Sequence, residues 1–192
     1  MKQHLKALII VLVLGGMAVW AFNYFFVPKV QEAPETMSRI EDMEKNGVPN
    51  FSAKTLAGEE FQLEQFKGKV VILNFWASWC GPCVEEVPSL IKLVKEFKGD
   101  VQLIAISGDS NTEDIQVFLK SFPELKSENI KIVYDQDRSK MKMFDIARLP
   151  ESLVLGQDQK LVKKLVGSID WYTKDSIACL LYTSDAADEG LG

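Results

Sequence analysis

Two cysteines three residues apart are the most chemically distinctive feature of the sequence. Cys80 and Cys83 enclose Gly81 and Pro82, and apolar residues recur at helical spacing from Val84 onward. Pro82 suits the first turn of a helix, where its missing N–H costs no hydrogen bond. Cys80 is therefore expected just before the helix, where free backbone N–H groups and the positive end of the dipole stabilise a thiolate.

A thiolate in that position is a nucleophile for disulfide exchange. Cys80 is predicted to attack a substrate disulfide, and Cys83 to resolve the mixed disulfide, so that the pair forms a redox-active Cys80–Cys83 disulfide. The alternatives are a structural disulfide or half of a zinc site. A bridge between residues three apart would constrain very little chain. The single histidine, His4, lies far from the pair in the sequence, which leaves a tetrahedral zinc set incomplete. No metal and no cofactor are predicted.

The segments that must position this pair alternate between strand and helix patterns. Such alternation implies right-handed crossovers and a largely parallel sheet with helices on its faces, an α/β fold with a central mixed sheet. The last two strands are separated by a short turn and are expected to form an antiparallel hairpin at the sheet edge. The predicted strands are Val70–Trp76, Val101–Ser107, Ile130–Tyr134, Ser152–Leu155 and Leu161–Val166, and the predicted later helices are Thr112–Ser121 and Ser139–Phe144.

Two adjacent glutamates after the cysteines differ in the helix face that they occupy. Glu85 shares its face with Lys92 and is expected in solvent, whereas Glu86 shares its face with Leu90 and Leu93. Desolvation on that apolar side should raise the pKa of Glu86. Glu86 could then exchange protons with the thiols near neutral pH. The alternative is a salt-bridged glutamate on the shoulder of the helix.

The motifs of this chain resemble those of the thioredoxin superfamily, and most closely its membrane-anchored TlpA/ResA/CcmG-like branch. The resemblance extends from residue 48 to about residue 178. It implies a thioredoxin fold with the additional strand and helix of this branch, here between Gly108 and Asp135. The segments that carry it are Val48–Ser52, Phe66–Val71, Asn74–Cys83, Glu86-x-Pro88 and Leu149–Ser152.

The resemblance also implies roles for individual residues. Glu86 occupies the position of the branch's functional acidic residue. Pro150 is expected to be cis and to face the cysteines, so that the backbone of Leu149 can pair with a substrate segment. The substrate-binding residues predicted in this way are Trp79, Gly81, Pro82, Leu149 and Pro150.

Two segments depart from the pattern of the superfamily. Asn74 stands where thioredoxin has a buried aspartate, and an asparagine cannot relay a proton. The absence of that aspartate makes Glu86 more plausible as the group that exchanges protons with the thiols. Ser152 and Leu153 replace the usual Thr-Phe after the proline, which leaves the expected pairing geometry intact.

The N-terminal segment has the pattern of a membrane anchor. Lys2 and Lys6 lie within residues 1–6, predicted as cytoplasmic, and the apolar stretch 7–27 is long enough for a transmembrane helix. The positive-inside rule then places the rest of the chain outside the cytoplasm. A cleaved signal peptide is the alternative, but the bulky residues at its exit do not fit a cleavage site.

The remaining divisions follow from composition. Residues 28–47 are polar and are predicted to form a tether with a short helix near Met37–Lys45, followed by the thioredoxin-like domain at 48–178. Residues 179–192 resemble a translated sequencing adapter. They are predicted to be a non-native tail that interrupts a final helix starting near Thr173.

These features predict a membrane-anchored, extracytoplasmic protein thiol–disulfide oxidoreductase. A net charge of −5 argues against a nucleic-acid partner. The Gly81-Pro82 dipeptide resembles that of reducing thioredoxins. The expected role is therefore reduction of extracytoplasmic disulfide-bearing proteins, apocytochromes c among them, with a membrane electron donor of the CcdA/DsbD kind. An extracytoplasmic oxidant and a non-catalytic metal or redox chaperone on the same fold are the alternatives.

Overall fold

The computed structural model describes residues 15–17, 20 and 35–185. Contacts divide the chain into two units, residues 1–38 and 39–192. In the first unit the described residues are all helical. Among the described residues, we find no helix that combines the length and the apolar character needed to span a bilayer. The predicted segment 1–6, most of the predicted anchor 7–27 and residues 186–192 lie outside the described residues.

Regular structure covers most of the described chain. The helices and strands are α1 Glu35–Asn46, β1 Ser52–Lys54, β2 Glu60–Gln62, β3 Val70–Trp76, α2 Gly81–Glu96, β4 Val101–Ser107, α3 Thr112–Ser121, β5 Ile130–Tyr134, α4 Ser139–Met143, β6 Glu151–Leu155, β7 Leu161–Val166 and α5 Lys174–Asp185. Short 3-10 helices occupy Leu63–Phe66 and Pro123–Leu125.

Five strands form one mixed sheet in the order β5-β4-β3-β6-β7. β3, β4 and β5 are parallel, whereas β6 runs antiparallel to β3 and β7 antiparallel to β6. All seven residues of the central strand β3 are buried, as expected for a strand that is covered on both faces. The predicted central mixed sheet flanked by helices is confirmed.

The two faces of the sheet pack against different helices. Side chains alternate along β3, so Ile72 lies in one apolar cluster with residues of α2, α3 and α5. Leu73 lies in the other cluster, with residues of α1 and α4. Asn74 is a buried polar residue, and its place in the alternation puts it on the α2 face. The α2 face of β3 therefore carries a polar position within an apolar surface.

The observed bounds match most of the sequence predictions. The strands at 70–76, 101–107, 130–134 and 161–166 and the helix at 112–121 are confirmed, and β6 starts one residue earlier than predicted, at Glu151. The hairpin of β1 and β2 was not predicted, because each of these strands buries only one residue. α5 continues through the first seven residues of the suspected tail, and Leu180 is buried. The expectation that this tail interrupts the last helix at residue 179 was therefore wrong.

Candidate active site

The cysteine pair lies at the point where β3 gives way to α2. Cys80 is the N-cap residue of α2, with φ −86° and ψ 102°, and its Sγ accepts a hydrogen bond of 3.3 Å from the backbone N–H of Cys83. A disulfide joins the two residues, whose Cα atoms are 5.3 Å apart. Pro82 lies in the first helical turn, which contains no acidic residue. The positive end of the helix dipole therefore acts on Cys80 without a compensating carboxylate.

The residues around the disulfide differ sharply in exposure. The exposed fraction is 5% for Cys80 and 1% for Cys83, whereas Trp79 is 67% exposed. Gly81 and Pro82 are also exposed. A partner that approaches Cys80 therefore meets the indole of Trp79 and the first turn of α2.

Glu86 is buried on the inner face of α2, as the helical pattern predicted. Its Oε1 accepts a hydrogen bond of 2.8 Å from Asn74 Nδ2, and its Oε2 accepts one of 3.4 Å from Trp171 Nε1. Burial raises the pKa of Glu86 above its ordinary value; hydrogen bonds from Asn74, Trp171 and the backbone of Ile169 offset this only in part. Cys83 lies three residues earlier in α2, on the same helix face. A buried carboxyl that holds its proton more strongly than usual thus accompanies the inner cysteine.

Asn74 orients this carboxyl from the centre of the sheet. Besides Glu86, its Nδ2 donates a hydrogen bond of 2.9 Å to Oγ of Ser152, the residue directly opposite it on β6. Both protons of the amide can therefore be engaged. Asn74 fixes the direction of the Glu86 side chain but cannot itself carry a proton.

Trp171 is part of this site and was missed by the sequence interpretation. It follows β7, its side chain is 2% exposed, and its backbone N–H donates to Oγ of Ser89, 3.0 Å away. That hydroxyl in turn donates to the backbone carbonyl of Glu86 at 2.8 Å. Trp171 therefore covers the carboxyl of Glu86, whose pKa is raised by burial and lowered in part by the hydrogen bond from this indole.

Asp109 was also missed, and it holds the turn that precedes the cysteines. The backbone N–H of Ser78 lies 3.0 and 3.1 Å from its two carboxylate oxygens, and the hydroxyl of Ser78 donates to it at 2.7 Å. Ser107 Oγ donates to the same carboxylate at 2.6 Å. Asp109 follows β4, the parallel neighbour of β3, and the carboxyl ends of parallel strands share one sheet edge. From the sequence, this rule alone could have placed Asp109 near the turn that precedes the cysteines.

Leu149 and Pro150 lie at the same edge of the sheet. The peptide bond between them is cis, as the resemblance implied. Pro150 directly precedes β6, which begins opposite Phe75, so it lies beside the carboxyl end of β3. Leu149 packs against the apolar cluster that contains both cysteines. The fold thus places the predicted site residues from the start of α2 and from the segment before β6 at one edge of the sheet.

The family of the chain follows from comparison with known proteins. The sequence matches the Redoxin family over residues 43–178, which include every described site residue above. The chain belongs to the Redoxin family. The matched region begins in α1 and ends in α5, so the relationship covers the sheet and both of its faces.

Individual relatives show which members of the family this redoxin resembles. It is 30% identical to the thiol-disulfide oxidoreductase ResA of Bacillus subtilis, over 79% of this chain and 80% of ResA. The solved structure of StoA from Bacillus subtilis is similar at 27% identity and a TM-score of 0.55, over 64% of this chain and 90% of StoA. The exposed lipoprotein thioredoxin Etrx1 of Streptococcus pneumoniae is similar at 25% identity and a TM-score of 0.57, over 72% of this chain and 99% of Etrx1.

These relationships confirm the predicted branch of the thioredoxin superfamily, the TlpA/ResA/CcmG-like proteins. They also confirm the predicted enzyme class. This redoxin is a protein thiol–disulfide oxidoreductase.

Proposed function

We propose that this redoxin is a membrane-anchored reductant of extracytoplasmic protein disulfides, of the type that serves cytochrome c maturation. In this proposal Cys80 is the attacking nucleophile, and Cys83 is the resolving thiol. The observation that carries it is the position of Cys80 at the start of α2, where its sulfur accepts the backbone N–H of Cys83. A helix N-terminus stabilises a sulfur anion and thus favours the nucleophilic form.

The proposed reaction is two successive thiol–disulfide exchanges. The Cys80 thiolate of the reduced enzyme attacks one sulfur of a substrate disulfide; the substrate S–S bond breaks, and the leaving thiolate takes up a proton. Cys83 then loses its proton, and its thiolate attacks the sulfur of Cys80. The second substrate thiol is released, and the Cys80–Cys83 disulfide forms. The substrate gains two electrons, and the enzyme loses them.

We assign the proton that Cys83 loses to Glu86. The two residues share a helix face, both are buried, and burial raises the pKa of this carboxyl toward the range in which it can both accept and release a proton. Trp79 is proposed to contact the substrate because its indole is exposed beside Cys80. Gly81, Pro82, Leu149 and Pro150 complete the proposed substrate surface.

The proposed location and partners rest on the N-terminal sequence. Lys2 and Lys6 precede the apolar stretch 7–27, which orients the catalytic domain to the extracytoplasmic side by the positive-inside rule. An enzyme that leaves each cycle oxidised needs a source of electrons. On that side of the membrane, we propose a membrane donor of the CcdA/DsbD kind, with disulfide-bearing proteins such as apocytochrome c as substrates.

A redox titration tests the direction of electron flow. The Gly81-Pro82 dipeptide supports a reductant, so we expect a midpoint potential nearer to that of thioredoxin, about −270 mV, than to that of the oxidant DsbA, about −120 mV. The measurement equilibrates the purified domain in dithiothreitol buffers and quantifies its free thiols. The reduced enzyme should also reduce insulin catalytically. A midpoint potential near that of DsbA, about −120 mV, would mean that the enzyme is an oxidant and not a reductant.

The role of Glu86 predicts a specific effect of pH. As the pH rises through its raised pKa, Glu86 becomes an anion and opposes formation of a second anion nearby. Glu86→Gln removes that charge, so alkylation of the reduced cysteines should shift to lower pH by on the order of one unit. The measurement is the rate of iodoacetamide alkylation against pH. Glu85→Gln, at an exposed neighbouring position, is the matched control. Superimposable profiles for wild type and Glu86→Gln would remove Glu86 from the mechanism.

A further inference from the structure

A buried ion pair lies beside the segment that precedes β6. The carboxylate of Glu151, the first residue of β6, lies 2.6 Å from Nζ of Lys164 on β7. The side chain of Glu151 is 3% exposed, and that of Lys164 is 16% exposed. Burying charged side chains costs free energy, because the charges lose their contact with water. Replacing a buried ion pair by apolar residues of similar volume therefore often leaves a protein equally stable or more stable. We therefore looked for a role of this pair other than stabilising the fold.

Both members of the pair also bind the backbone of one segment, residues 145–150, which we call the presenting segment. Oε2 of Glu151 accepts a hydrogen bond of 3.3 Å from the N–H of Ala147. Nζ of Lys164 donates one of 3.2 Å to the carbonyl of Asp145. Asp145 has a φ of +52° and ends α4 in a left-handed cap, in which the N–H of Ile146 donates to the carbonyl of Met141 at 2.9 Å. The ion pair thus ties two backbone positions of the segment, Asp145 and Ala147, to β7 and β6.

The end of the presenting segment is open to a partner. Within the described part of the chain, we find no hydrogen bond to the backbone N–H or C=O of Leu149, whereas the carbonyl of Pro150 is bound by Gly167 at 2.9 Å. Free backbone groups at the end of a strand can pair with an extended chain. The ion pair holds this segment at Asp145 and Ala147, four and two residues before Leu149.

The ion pair is separate from the proton-handling groups. Side chains alternate across β6, so Ser152 faces Asn74 and the carboxyl of Glu86, whereas Glu151 faces the opposite side of the sheet. Among the described residues, we find no hydrogen bond or ion pair between Glu151 or Lys164 and the cysteines. Substituting a member of the pair should therefore change the position of the presenting segment and leave the reactivity of the cysteines largely unchanged.

We propose that the Glu151–Lys164 ion pair positions the presenting segment for recognition of protein substrates. It holds the backbone of Leu149 where an extended stretch of a substrate can pair with it, next to the disulfide that Cys80 attacks. Glu151 and Lys164 are positioning residues and take no part in bond making. This inference rests on the proposed function, because it requires a protein disulfide as the substrate.

Two substrates of different size test the inference. Insulin must dock as a chain, whereas the small aromatic disulfide 5,5′-dithiobis(2-nitrobenzoate) needs only access to Cys80. In Lys164→Met we expect the rate of insulin reduction to fall on the order of tenfold or more, because a misplaced presenting segment no longer orients the substrate chain. The small disulfide should react at a rate within about twofold of that of wild type. Lys164→Arg should restore insulin reduction. Lys163→Met is the matched control, because Lys163 is exposed and lies on the other face of the same strand.

A double variant covers the case in which Lys164→Met does not fold, since an unpaired buried carboxylate is strongly destabilising. Glu151→Gln combined with Lys164→Met leaves no buried charge and should show the same separation of the two substrates. Equal insulin rates in wild type and the folded variants would overturn the inference, as would an equal loss on both substrates. A wild-type enzyme that reduces no protein disulfide would instead overturn the proposed function.

Discussion

Replacing Cys80 with serine should lower insulin reduction on the order of a thousandfold or more, because the reaction then has no attacking sulfur. Cys83→Ser should also abolish turnover, but for a different reason. Cys80 can still attack, and the resulting mixed disulfide has no internal thiol to release it. Insulin reduction gives the loss of turnover, and mass spectrometry after incubation with a disulfide-bearing peptide shows whether the covalent adduct has formed.

The two variants are informative because their adducts should differ. The mixed disulfide should accumulate in Cys83→Ser and be absent in Cys80→Ser. Cys179→Ser is the matched control, since it removes a thiol outside the motif and should leave insulin reduction unchanged. If the adduct accumulated in Cys80→Ser and not in Cys83→Ser, the roles of attacking and resolving cysteine would be reversed.

Trp171→Ala should cost about 3–5 kcal/mol of the free energy of unfolding, the usual range for removing a buried tryptophan from a core. The indole is 2% exposed and lies in the same apolar cluster as both cysteines. Its removal leaves a cavity and admits water to Glu86. The pKa of that carboxyl should then move down toward its ordinary value, because we expect the loss of desolvation, the largest cause of the raised pKa, to outweigh the loss of the hydrogen bond from the indole. Urea unfolding of the oxidised protein measures the stability change.

Trp79→Ala provides the matched comparison for Trp171. Trp79 is 67% exposed, so its loss should change stability by no more than about 0.5 kcal/mol. Trp171→Phe keeps most of the ring volume and loses the hydrogen bond to Oε2 of Glu86. It should therefore fall between wild type and Trp171→Ala. If Trp171→Ala were no less stable than Trp79→Ala, Trp171 would not be the buried cover of Glu86 described above.

The parts of the site that depend on local pattern were predictable from the sequence. The uninterrupted apolar run at 70–76 is typical of a buried central strand, and Pro82 marks the first turn of the helix that follows. The 3.6-residue period of that helix distinguishes buried Glu86 from exposed Glu85. Each of these inferences needs only a few neighbouring residues.

The remaining parts depend on contacts between residues that are distant in the chain. Trp171 and Glu86 are 85 positions apart, and Asp109 lies 31 positions from Ser78. No periodicity links such residues, so their contacts appear only once strands of different segments are placed side by side. The pairing of Glu151 with Lys164 is of the same kind, because it depends on the register of the β6–β7 hairpin.

The reactivity of Cys80 in the reduced protein tests the central claim most directly. The measurement is the rate of iodoacetamide alkylation of Cys80 at pH 7 in Cys83→Ser, compared with an unstructured peptide that carries the same residues 76–86 and the same substitution. Since the helix N-terminus favours the thiolate, the folded protein should react at least several-fold faster than the peptide. Equal rates would mean that the fold does not activate Cys80, and the proposed mechanism would fail.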